Sequence, residues 1–355
     1  MDSGERVRST ICTTPPHYNQ ITRANHDFIH SKRPVSHLPL KVGAWNVRTL
    51  LDRDKTNRPE RRTALIGYEL ARYNIDIAAL SETRLADVGQ ICEKGAGYTF
   101  FWSGRGIEER REAGVGFAIK NSIVSRLVGP AKSLNDRIMS IKIPLHHGRK
   151  HATIISAYAP TMTNQEDVKD KFYEELHALI ASVPKADKLI ILGDFNARVG
   201  SDNISWKGII GKYGIGGCNS NGLLLLQMCA EHNLLITNTI FRLPTRNRTS
   251  WMHPRSNHWH LIDYVIVRKK DRQDVRVTKS MCGAECWTDH RLILSKLSLR
   301  IQPARRPQRK RINKRINVSK LKNIFIRQSF AGTLEERLRP ITMNENVEEN
   351  WATLS

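Results

Sequence analysis

The sequence predicts an α+β fold, in which antiparallel or mixed sheets pack against each other and helices lie outside them. Two observations lead to this prediction. Strand-like segments outnumber helix-like ones, and several neighbouring strands are joined by short turns rather than by the helical crossovers of parallel sheets. One such hairpin joins residues 137–143 to residues 151–160 across a basic loop.

Most predicted strands are short apolar or alternating runs, whereas the predicted helices repeat apolar residues every three or four positions. The helix over residues 167–183, for example, places Phe172, Leu176 and Leu179 on one face. Strands are predicted at residues 40–47, 76–83, 114–120, 137–143, 151–160, 188–196, 234–239, 261–267 and 291–299. Helices are predicted at residues 60–73, 167–183 and 221–233.

Composition divides the chain into four segments. Residues 1–38 mix Pro, Ser, Thr, His and Asn without periodicity, and we expect them to be disordered. Residues 39–300 carry the patterned sequence and are predicted to form one domain. A basic linker or tail follows at residues 301–318, and residues 319–355 are predicted to form a short helical segment.

The formal net charge of +23 indicates a polyanionic partner. DNA fits well, because each Lys or Arg that neutralises a phosphate releases a condensed counterion. A generally adhesive basic protein is the alternative. Within the basic segment, Arg305, Arg306 and Lys310 are candidates for DNA contact. A solvated tail and a nuclear-localisation signal are equally open interpretations of that segment.

Other features of the sequence bear on the compartment. The N-terminal residues lack the apolar stretch of a secretory signal, and no apolar run approaches the roughly 20 residues that span a bilayer. The six cysteines are scattered without a zinc-type spacing, so we expect reduced thiols. We therefore expect a soluble, intracellular and nuclear protein, with no membrane partner and no small-molecule cofactor.

Polar side chains suited to phosphodiester hydrolysis stand at or near the ends of predicted strands. The reaction needs a divalent cation on the phosphate, a base that orients water, and donors for the non-bridging oxygens. Loops on a rigid sheet position such groups well, although a single acid or Asn there is more often a turn or cap residue. The candidates are Asn46, Glu82, Tyr158, Asp194, Asn196, Asp263, Asp289 and His290.

Two pairs among these candidates carry more weight than the single residues. Asp194 and Asn196 flank Phe195 at a strand end, so their side chains point to the same side. Asp263 lies inside a strongly apolar strand, where an ionisable group is costly unless it has a partner. His290 is the predicted partner, in an acid–histidine pair that fixes the tautomer of the imidazole.

A basic loop between the last predicted strands supplies further candidates for DNA binding. Arg246 and Arg248 are predicted to contact the DNA backbone near the cleft. Trp251 follows them and is predicted to stack on a base. Packing of Trp251 in the core or at the rim of the cleft is an equal alternative.

Seven motifs occur in a fixed order between residues 40 and 300: WNVRTL (45–50), SETRL (81–85), SAYAPT (156–161), LGDFNARVG (192–200), SWMHP (250–254), LIDYVIV (261–267) and TDHRL (288–292). In this order they resemble the endonuclease/exonuclease/phosphatase superfamily. Within it, the chain is most similar to the endonuclease domains of non-LTR retrotransposons and to the craniofacial development protein 2-like group. The resemblance implies a four-layer α/β sandwich, with two packed mixed sheets, flanking helices and an active site at one end.

The resemblance also implies a divalent metal site. Glu82 would be the main Mg²⁺ ligand, with Asn46 near the metal and Asp289 in the metal shell. Mn²⁺ is an alternative ion. One departure affects this site, because Arg48 stands two residues after Asn46, where repair-type relatives have an acid. One metal contact is therefore missing or replaced, as it often is in retrotransposon members.

The catalytic roles implied by the resemblance fall on five residues. Asp194 would orient or deprotonate the attacking water, and Asn196 would hold the phosphate. Tyr158 would contact the phosphate or the leaving oxygen. His290, oriented by Asp263, would stabilise the transition state. Thr at position 288 replaces the usual Ser, and because it keeps the hydroxyl we expect little loss.

We therefore expect a Mg²⁺-dependent endonuclease, derived from a retrotransposon, that nicks DNA and leaves 3′-hydroxyl ends. Three alternatives remain at this point. A phosphatase or phosphodiesterase of the same fold could act on small phosphoesters, although a neutral or acidic body would suit it better. A catalytically silent remnant could bind DNA only. The nuclease part of a retrotransposon polyprotein would differ in biology, not in chemistry, and cleavage at abasic sites is a weaker possibility.

Overall fold

The structure is a computed structural model that describes residues 39–52, 61–146, 150–302 and 318–339. Within these ranges the strands are β1 (Leu40–Asn46), β2 (Ile77–Ser81), β3 (Val88–Glu93), β4 (Tyr98–Ser103), β5 (Val115–Lys120), β6 (Lys132–Ser133), β7 (Ile138–Pro144), β8 (His151–Tyr158), β9 (Lys188–Asp194), β10 (Val199–Gly200), β11 (Ile215–Cys218), β12 (Leu234–Ile236), β13 (Trp251–Met252), β14 (Trp259–His260), β15 (Asp263–Arg268), β16 (Val275–Met281) and β17 (Leu292–Leu297). The helices are α1 (Arg62–Arg72), α2 (Asn121–Val124), α3 (Glu166–Ser182), α4 (Ser220–Glu231) and α5 (Ile324–Leu338).

The larger sheet in the described chain has seven strands, in the order β16-β17-β1-β2-β5-β4-β3. Its strands are antiparallel except for β1 and β2, which run parallel with Asn46 opposite Ser81. Both faces of β1 are buried, because Val42 and Ala44 pack on one side and Trp45 on the other. The C-terminal ends of β1 and β2 therefore lie side by side.

A second sheet, with six strands in the described ranges, has the order β12-β15-β9-β8-β7-β6. β8 and β9 are parallel, with Tyr158 opposite Asp194. β15 is antiparallel to β9 and places Asp263 opposite Asp194. This register brings Tyr158, Asp194 and Asp263 into one row at the same edge of the sheet.

Buried apolar clusters fill the spaces between four layers. The cluster between the two sheets includes Val42 and Ile154. A second cluster joins the outer face of the six-stranded sheet to Leu176 of α3 and Leu225 of α4. A third packs Ile66 of α1 on the outer face of the seven-stranded sheet. Burial at these three interfaces gives the order helix, sheet, sheet, helix, so the predicted α+β four-layer sandwich is confirmed.

The observed elements follow the predicted ones closely at the centre of the sheets. The three predicted helices are present as α1, α3 and α4, and the predicted hairpin is formed by β7 and β8. The strand predicted at residues 234–239 is shorter, because β12 ends at Ile236 and a 3₁₀ turn follows over Thr237–Thr239. β3 and β4 have no counterpart among the predicted strands. β3 lies at the edge of its sheet, where its residues alternate between exposed and half-buried.

α5 is exposed along its length. None of the helices in the described ranges is long and apolar enough to cross a bilayer. The described cysteines, Cys92, Cys218, Cys229, Cys282 and Cys286, are free thiols, as predicted. The segment predicted to be disordered lies outside the described residues, as does residue range 303–317 of the basic segment.

Candidate active site

Polar side chains from both sheets meet at one end of the sandwich. Asn46 ends β1, while Tyr158 and Asp194 end the parallel strands β8 and β9. Asp263 begins the antiparallel strand β15 and therefore lies at the same edge. His290 lies just before β17, which runs antiparallel to β1, and so reaches this edge from the other sheet. The fold thus gathers residues that are far apart in the sequence.

Asp263, His290 and Asp194 form a buried row of ionisable groups. His290 Nδ1 lies 2.9 Å from Asp263 Oδ2, within hydrogen-bonding distance. Its Nε2 lies 4.0 Å from Asp194 Oδ2. One side-chain N or O atom of each residue lies within 4.8 Å of the others, a spacing that by itself also suits a metal ion. Distance alone therefore does not decide between a proton-handling group and a metal site.

The electrostatics of this row favour proton handling. Burial on its own lowers the pKa of His290, but the charges of Asp263 and Asp194 and the hydrogen bond to Asp263 outweigh it and raise the pKa to about 9. Burial raises the pKa of Asp194, and the charge of Asp263 raises it further. The two carboxylates therefore favour the imidazolium form of His290, which can donate hydrogen bonds from both ring nitrogens.

Ser250 and Asn238 hold the backbone around Asp263. Ser250 Oγ accepts hydrogen bonds from the backbone N–H groups of Ile262 at 3.0 Å and Asp263 at 3.1 Å. Asn238 Nδ2 donates to the carbonyl oxygen of Asp263 at 3.1 Å. Neither residue was predicted from the sequence to serve the site, although Ser250 opens the SWMHP motif. That motif was the available indication that position 250 serves the site.

Thr288 links the last motif to the first. Its Oγ1 donates to the carbonyl oxygen of Asn46 at 2.8 Å and accepts from the backbone N–H of His290 at 3.2 Å. A hydroxyl at this position thus connects the segment before β17 to the end of β1. Thr supplies that hydroxyl as Ser would, so we expect little loss from this replacement.

Asn46 lies between two of the candidate acids. Its Nδ2 donates to Glu82 Oε2 at 3.2 Å and to Asp194 Oδ2 at 2.9 Å. Its Oδ1 accepts from the backbone N–H of Arg48 at 2.9 Å. The amide therefore presents its N–H groups to the carboxylates and its oxygen to the backbone. In this arrangement Asn46 orients the acids.

Glu82 and Asp289 each face an arginine. Arg84 donates to Glu82 Oε1 from Nε at 3.1 Å and from Nη2 as well. Arg48 Nε lies 3.7 Å from Asp289 Oδ1. The other oxygen of Asp289 accepts from Trp251 Nε1 at 2.9 Å. Both carboxylates are thus already in positions that attract a cation.

Both acids offer oxygen atoms of the kind that a divalent cation binds. Asp289 Oδ1 is buried and has no hydrogen-bond donor among the described residues. A buried carboxylate oxygen without a donor is costly, and a bound cation removes that cost. Carboxylate oxygens are also the ligands that Mg²⁺ prefers. Glu82 and Asp289 are therefore candidate ligands for a divalent ion, beside the row of Asp194, Asp263 and His290.

Tyr158 and Asn196 line the second sheet's side of the site. Burial raises the pKa of the Tyr158 hydroxyl, so this group stays neutral and can donate a hydrogen bond. Arg137 lies 5.3 Å from the centre of the Tyr158 ring. Asn196 donates from its backbone N–H to Asp194 Oδ1 and from Nδ2 to the carbonyl oxygen of Ala159, both at 2.9 Å.

Left-handed backbone conformations occur around the site. Arg48, Glu82 and Asn196 have φ angles of 59°, 57° and 47°, which are uncommon for residues other than glycine. Gly193 has a φ of 153°, and a Cβ atom there would lie 1.8 Å from the carbonyl oxygen of Ala157. Strain of this kind gathers where side chains must be aimed at a site.

The predicted DNA-binding residues lie in different settings. The Arg246 side chain is exposed. Arg248 Nη1 donates to the carbonyl oxygen of Tyr213 at 2.8 Å, which ties the guanidinium to a neighbouring loop. Trp251 is half-buried, and its indole N–H donates a hydrogen bond to Asp289. The remaining three, Arg305, Arg306 and Lys310, lie outside the described residues.

Comparison with known families agrees with this geometry. A family model for the Endonuclease/Exonuclease/phosphatase family matches residues 43–290. The matched region begins in β1 and ends at His290, and it contains the eight candidate residues at the strand ends. The chain belongs to this family. It therefore has the fold of a family of nucleases and phosphatases.

Individual relatives support the same assignment. Craniofacial development protein 2 of Bos taurus is 32% identical over 262 residues, which are 74% of this chain and 41% of the relative. The protein of that name from Tragulus javanicus is 31% identical over 262 residues, 74% of this chain and 42% of the relative. The chain thus spans about two fifths of the length of these curated relatives.

Solved structures share the fold at low identity. The catalytic domain of Xenopus laevis APE2 is similar with a TM-score of 0.55 and 15% identity, over 75% of this chain and 94% of that one. The endonuclease domain of TRAS1, a telomere-specific non-LTR retrotransposon, is similar with a TM-score of 0.50 and 15% identity, over 73% of this chain and 98% of that one. These likenesses establish the fold alone.

Proposed function

We propose that the protein is a Mg²⁺-dependent endonuclease that hydrolyses a phosphodiester bond of DNA and leaves a nick. One observation carries this proposal. One end of the sandwich gathers ionisable side chains from both sheets: Asp194, the Asp263–His290 pair, Glu82 and Asp289. A base, a buried cationic donor and a cation-binding pair of acids are the groups that phosphodiester hydrolysis needs.

The chain's own residues supply the proton handling. Asp194 orients the attacking water and accepts its proton as the oxygen–phosphorus bond forms. The imidazolium of His290 stabilises the negative charge that develops on the phosphate, and Asp263 keeps that imidazolium protonated and oriented. Asn196 holds a non-bridging oxygen. Tyr158 donates a hydrogen bond to the phosphate or to the departing 3′ oxygen. The bond between phosphorus and the 3′ oxygen breaks as the water attacks, and that oxygen takes up a proton from solvent, so the products are a 3′-hydroxyl and a 5′-phosphate.

Glu82 and Asp289 are the residues that would hold Mg²⁺, or Mn²⁺ in its place. When bound, the ion supplies positive charge to the scissile phosphate. Asn46 orients the Glu82 carboxylate through Nδ2 and links it to Asp194. Trp251 orients Asp289 in the same way, through its indole N–H.

DNA as the substrate is supported by charge and by the relatives. The net charge of +23 favours a polyanion over a small phosphoester. Arg246, whose side chain is exposed, and Arg248 are proposed to contact the DNA backbone. Trp251 is proposed to stack on a base. Solved neighbours that share the fold include an AP endonuclease and a retrotransposon endonuclease domain. We also propose a retrotransposon origin, in keeping with the shared fold of TRAS1, a non-LTR retrotransposon endonuclease domain.

We also propose that the basic segment serves the same DNA and directs the protein to the nucleus. Arg305, Arg306 and Lys310 would add phosphate contacts without sequence specificity. Replacing these three residues by Gln in a fluorescent fusion of the full chain tests the location. A fusion that enters the nucleus as well as the parent does would contradict this role.

Nicking of supercoiled plasmid tests the proposed activity. The full chain is incubated with plasmid and either Mg²⁺ or EDTA, beside Asp194→Ala, Glu82→Ala and the control Asp170→Ala, an exposed acid on α3. We expect Mg²⁺-dependent open circle from the parent and the control, and none from the two site variants. Binding without cutting in the parent would favour the silent DNA-binding alternative, and activity only on small phosphoesters would favour a phosphatase.

The chemistry of the nick is tested separately. A polymerase that extends only 3′-hydroxyl ends is added to the nicked plasmid with labelled nucleotides. Extension without prior phosphatase treatment is the expected result. Extension only after removal of a 3′-phosphate would mean that the other phosphorus–oxygen bond is cut.

A further inference from the structure

Arg84 and Arg48 each contact one of the two carboxylates assigned to the metal, and we call them the rim arginines. Arg84 binds Glu82 Oε1 through two nitrogens, Nε at 3.1 Å and Nη2. Arg48 Nε lies 3.7 Å from Asp289 Oδ1, the oxygen that has no hydrogen-bond donor among the described residues. Each guanidinium thus lies beside an oxygen atom that could ligate a metal.

The rim arginines lie at the mouth of the site. Their side chains are 57% exposed at Arg48 and 43% at Arg84, whereas those of Asp289 and Glu82 are only 24% and 14% exposed. Arg48 follows the end of β1 and Arg84 follows the end of β2. Both arginines have left-handed backbone conformations, with φ angles of 59° at Arg48 and 55° at Arg84. The guanidinium groups are therefore more exposed to solvent than the acids they contact.

We propose that the rim arginines are exchangeable counterions, which hold Glu82 and Asp289 until a divalent ion binds and then bind phosphates of the DNA. This inference rests on the proposed metal-dependent function. Two cations repel each other strongly when both contact one carboxylate oxygen, so Arg84 must leave Glu82 Oε1 when that oxygen takes a metal. The Glu82 carboxylate has a cationic partner both before and after the metal binds. The exchange therefore leaves no buried carboxylate charge unpaired.

A released guanidinium has an obvious new partner at this position. Its planar pair of donors matches two oxygens of a phosphate, and arginine keeps its charge at any pH of interest. Metal binding would therefore add one or two phosphate contacts at the mouth of the site. By linkage, DNA binding would strengthen metal binding by the same factor.

Four proteins distinguish this exchange from a fixed structural role. The parent carries Asp194→Asn, so that bound DNA stays intact, and to it are added Arg84→Gln, Arg48→Gln or the control Arg110→Gln. Arg110 is 86% exposed and pairs with Glu112 at 2.7 Å, so its removal reports the general effect of losing one positive charge. Thermal unfolding checks that each variant is folded.

Two quantities are measured for each protein. Electron paramagnetic resonance of free Mn²⁺ gives the metal dissociation constant. Fluorescence anisotropy gives the affinity for a labelled duplex, once with Mn²⁺ and once with EDTA. The ratio of the two DNA affinities is the metal–DNA coupling, for which factors of about 5 to 150 are usual.

We expect Arg84→Gln to bind Mn²⁺ more tightly than the parent, by about threefold or more, because the competing hydrogen bonds are gone. Its DNA affinity should fall about fivefold or more with Mn²⁺ present. In EDTA, the DNA affinity of Arg84→Gln should fall no further than the DNA affinity of the control Arg110→Gln. Arg48→Gln should behave in the same direction with smaller changes, because its contact with Asp289 is longer.

The outcomes separate this inference from the proposed function. Weaker Mn²⁺ binding in Arg84→Gln would mean that the arginine positions Glu82, and the inference would be overturned. An unchanged metal–DNA coupling in both arginine variants would overturn it as well, while leaving the metal site intact. If the parent bound no Mn²⁺ at millimolar concentration, the metal-dependent function itself would fail together with the inference.

Discussion

His290 Nδ1 lies 2.9 Å from Asp263 Oδ2, and this contact joins the two sheets of the sandwich. Asp263 begins β15 in the six-stranded sheet, whereas His290 lies just before β17 in the seven-stranded sheet. Both side chains are buried. The position of the imidazole therefore depends on how the two sheets pack. A change in that packing would move His290 relative to Asp263.

Asp263→Asn is predicted to reduce kcat by about 10²–10⁴-fold, because the carboxylate that keeps His290 protonated and oriented is lost. DNA affinity should stay within about twofold, since Asp263 is buried and does not reach a ligand. Steady-state nicking rates and anisotropy measure the two effects. Nuclear magnetic resonance of the imidazole should show that the pKa of His290 falls.

A matched control for this variant is Asp271→Asn. Asp271 is a buried acid just after β15, and it pairs with Lys188 at 2.6 Å, at the end of that strand away from the site. Its removal should lower stability and leave kcat unchanged. An equal loss of kcat in both variants would show that Asp263 acts only through stability.

The raised pKa of His290 predicts a pH-dependent contribution to stability in the metal-free protein. The pKa rises from 6.5 to about 9 on folding, so protonated His290 stabilises the fold fully below pH 6.5, and this contribution is lost as the pH rises through 9. At 1.36 kcal/mol for each pKa unit, the contribution is at most about 3 kcal/mol.

Urea unfolding in EDTA measures this contribution, with His290→Gln as the reference protein. The difference in unfolding free energy between parent and variant should be largest near pH 6 and should shrink towards pH 10. Taking the difference removes groups that titrate alike in both proteins. A difference that grew with pH would show that burial, rather than the two carboxylates, controls the imidazole.

Gly193→Ala is predicted to cost about 2–4 kcal/mol of stability. Gly193 has a φ of 153°, and the added Cβ would lie 1.8 Å from the carbonyl oxygen of Ala157 on the neighbouring strand. β9 would have to shift, and Asp194, the next residue, would shift with it. Chemical unfolding and nicking should therefore both report the change.

Gly217→Ala is the matched control for that variant. Gly217 lies in β11, and no atom lies within 4 Å of a Cβ built there. We expect a change within about 0.5 kcal/mol and normal nicking. A comparable loss of stability in both variants would mean that the close approach of Gly193 to the carbonyl oxygen of Ala157 is not the cause of the loss.

The sequence was informative where burial and chemistry act on the same residue. Asp263 lies in an apolar run and needs a partner, and the contact predicted with His290 is present at 2.9 Å. Central strands such as β1 and β9 were also predicted, because both of their faces are buried and their apolar residues are continuous. Local pattern and tertiary environment agree for these elements.

Other features depend on geometry that no local pattern encodes. β3 is half-exposed at a sheet edge, so its residues lack the apolar signature of a strand. Ser250 bonds to the backbone of Ile262 and Asp263 across 12 and 13 residues. The pairing of Arg84 with Glu82 depends on left-handed turns at both residues. None of these contacts follows from spacing along the chain.

Trp251 allows a test between two roles for one residue. From the sequence, both stacking on a base and packing at the rim of the cleft were open for this residue. In the structure its indole N–H donates to Asp289 Oδ2 at 2.9 Å. Trp251→Phe keeps an aromatic ring and removes this donor. If the indole orients a metal carboxylate, Mn²⁺ affinity should fall by about tenfold, and DNA affinity in EDTA should stay within about twofold of the parent.

Stacking predicts a different pattern for the same variant, with weaker DNA binding and unchanged Mn²⁺ binding. Trp259→Phe is the control, because Trp259 lies on the paired strand β14 and packs against Arg291. It should leave Mn²⁺ affinity unchanged. Equal Mn²⁺ affinities in the two tryptophan variants would show that the indole N–H does not serve the metal site. A loss confined to Trp251→Phe would show that this indole, 38 residues from Asp289 along the chain, orients the carboxylate that binds the ion.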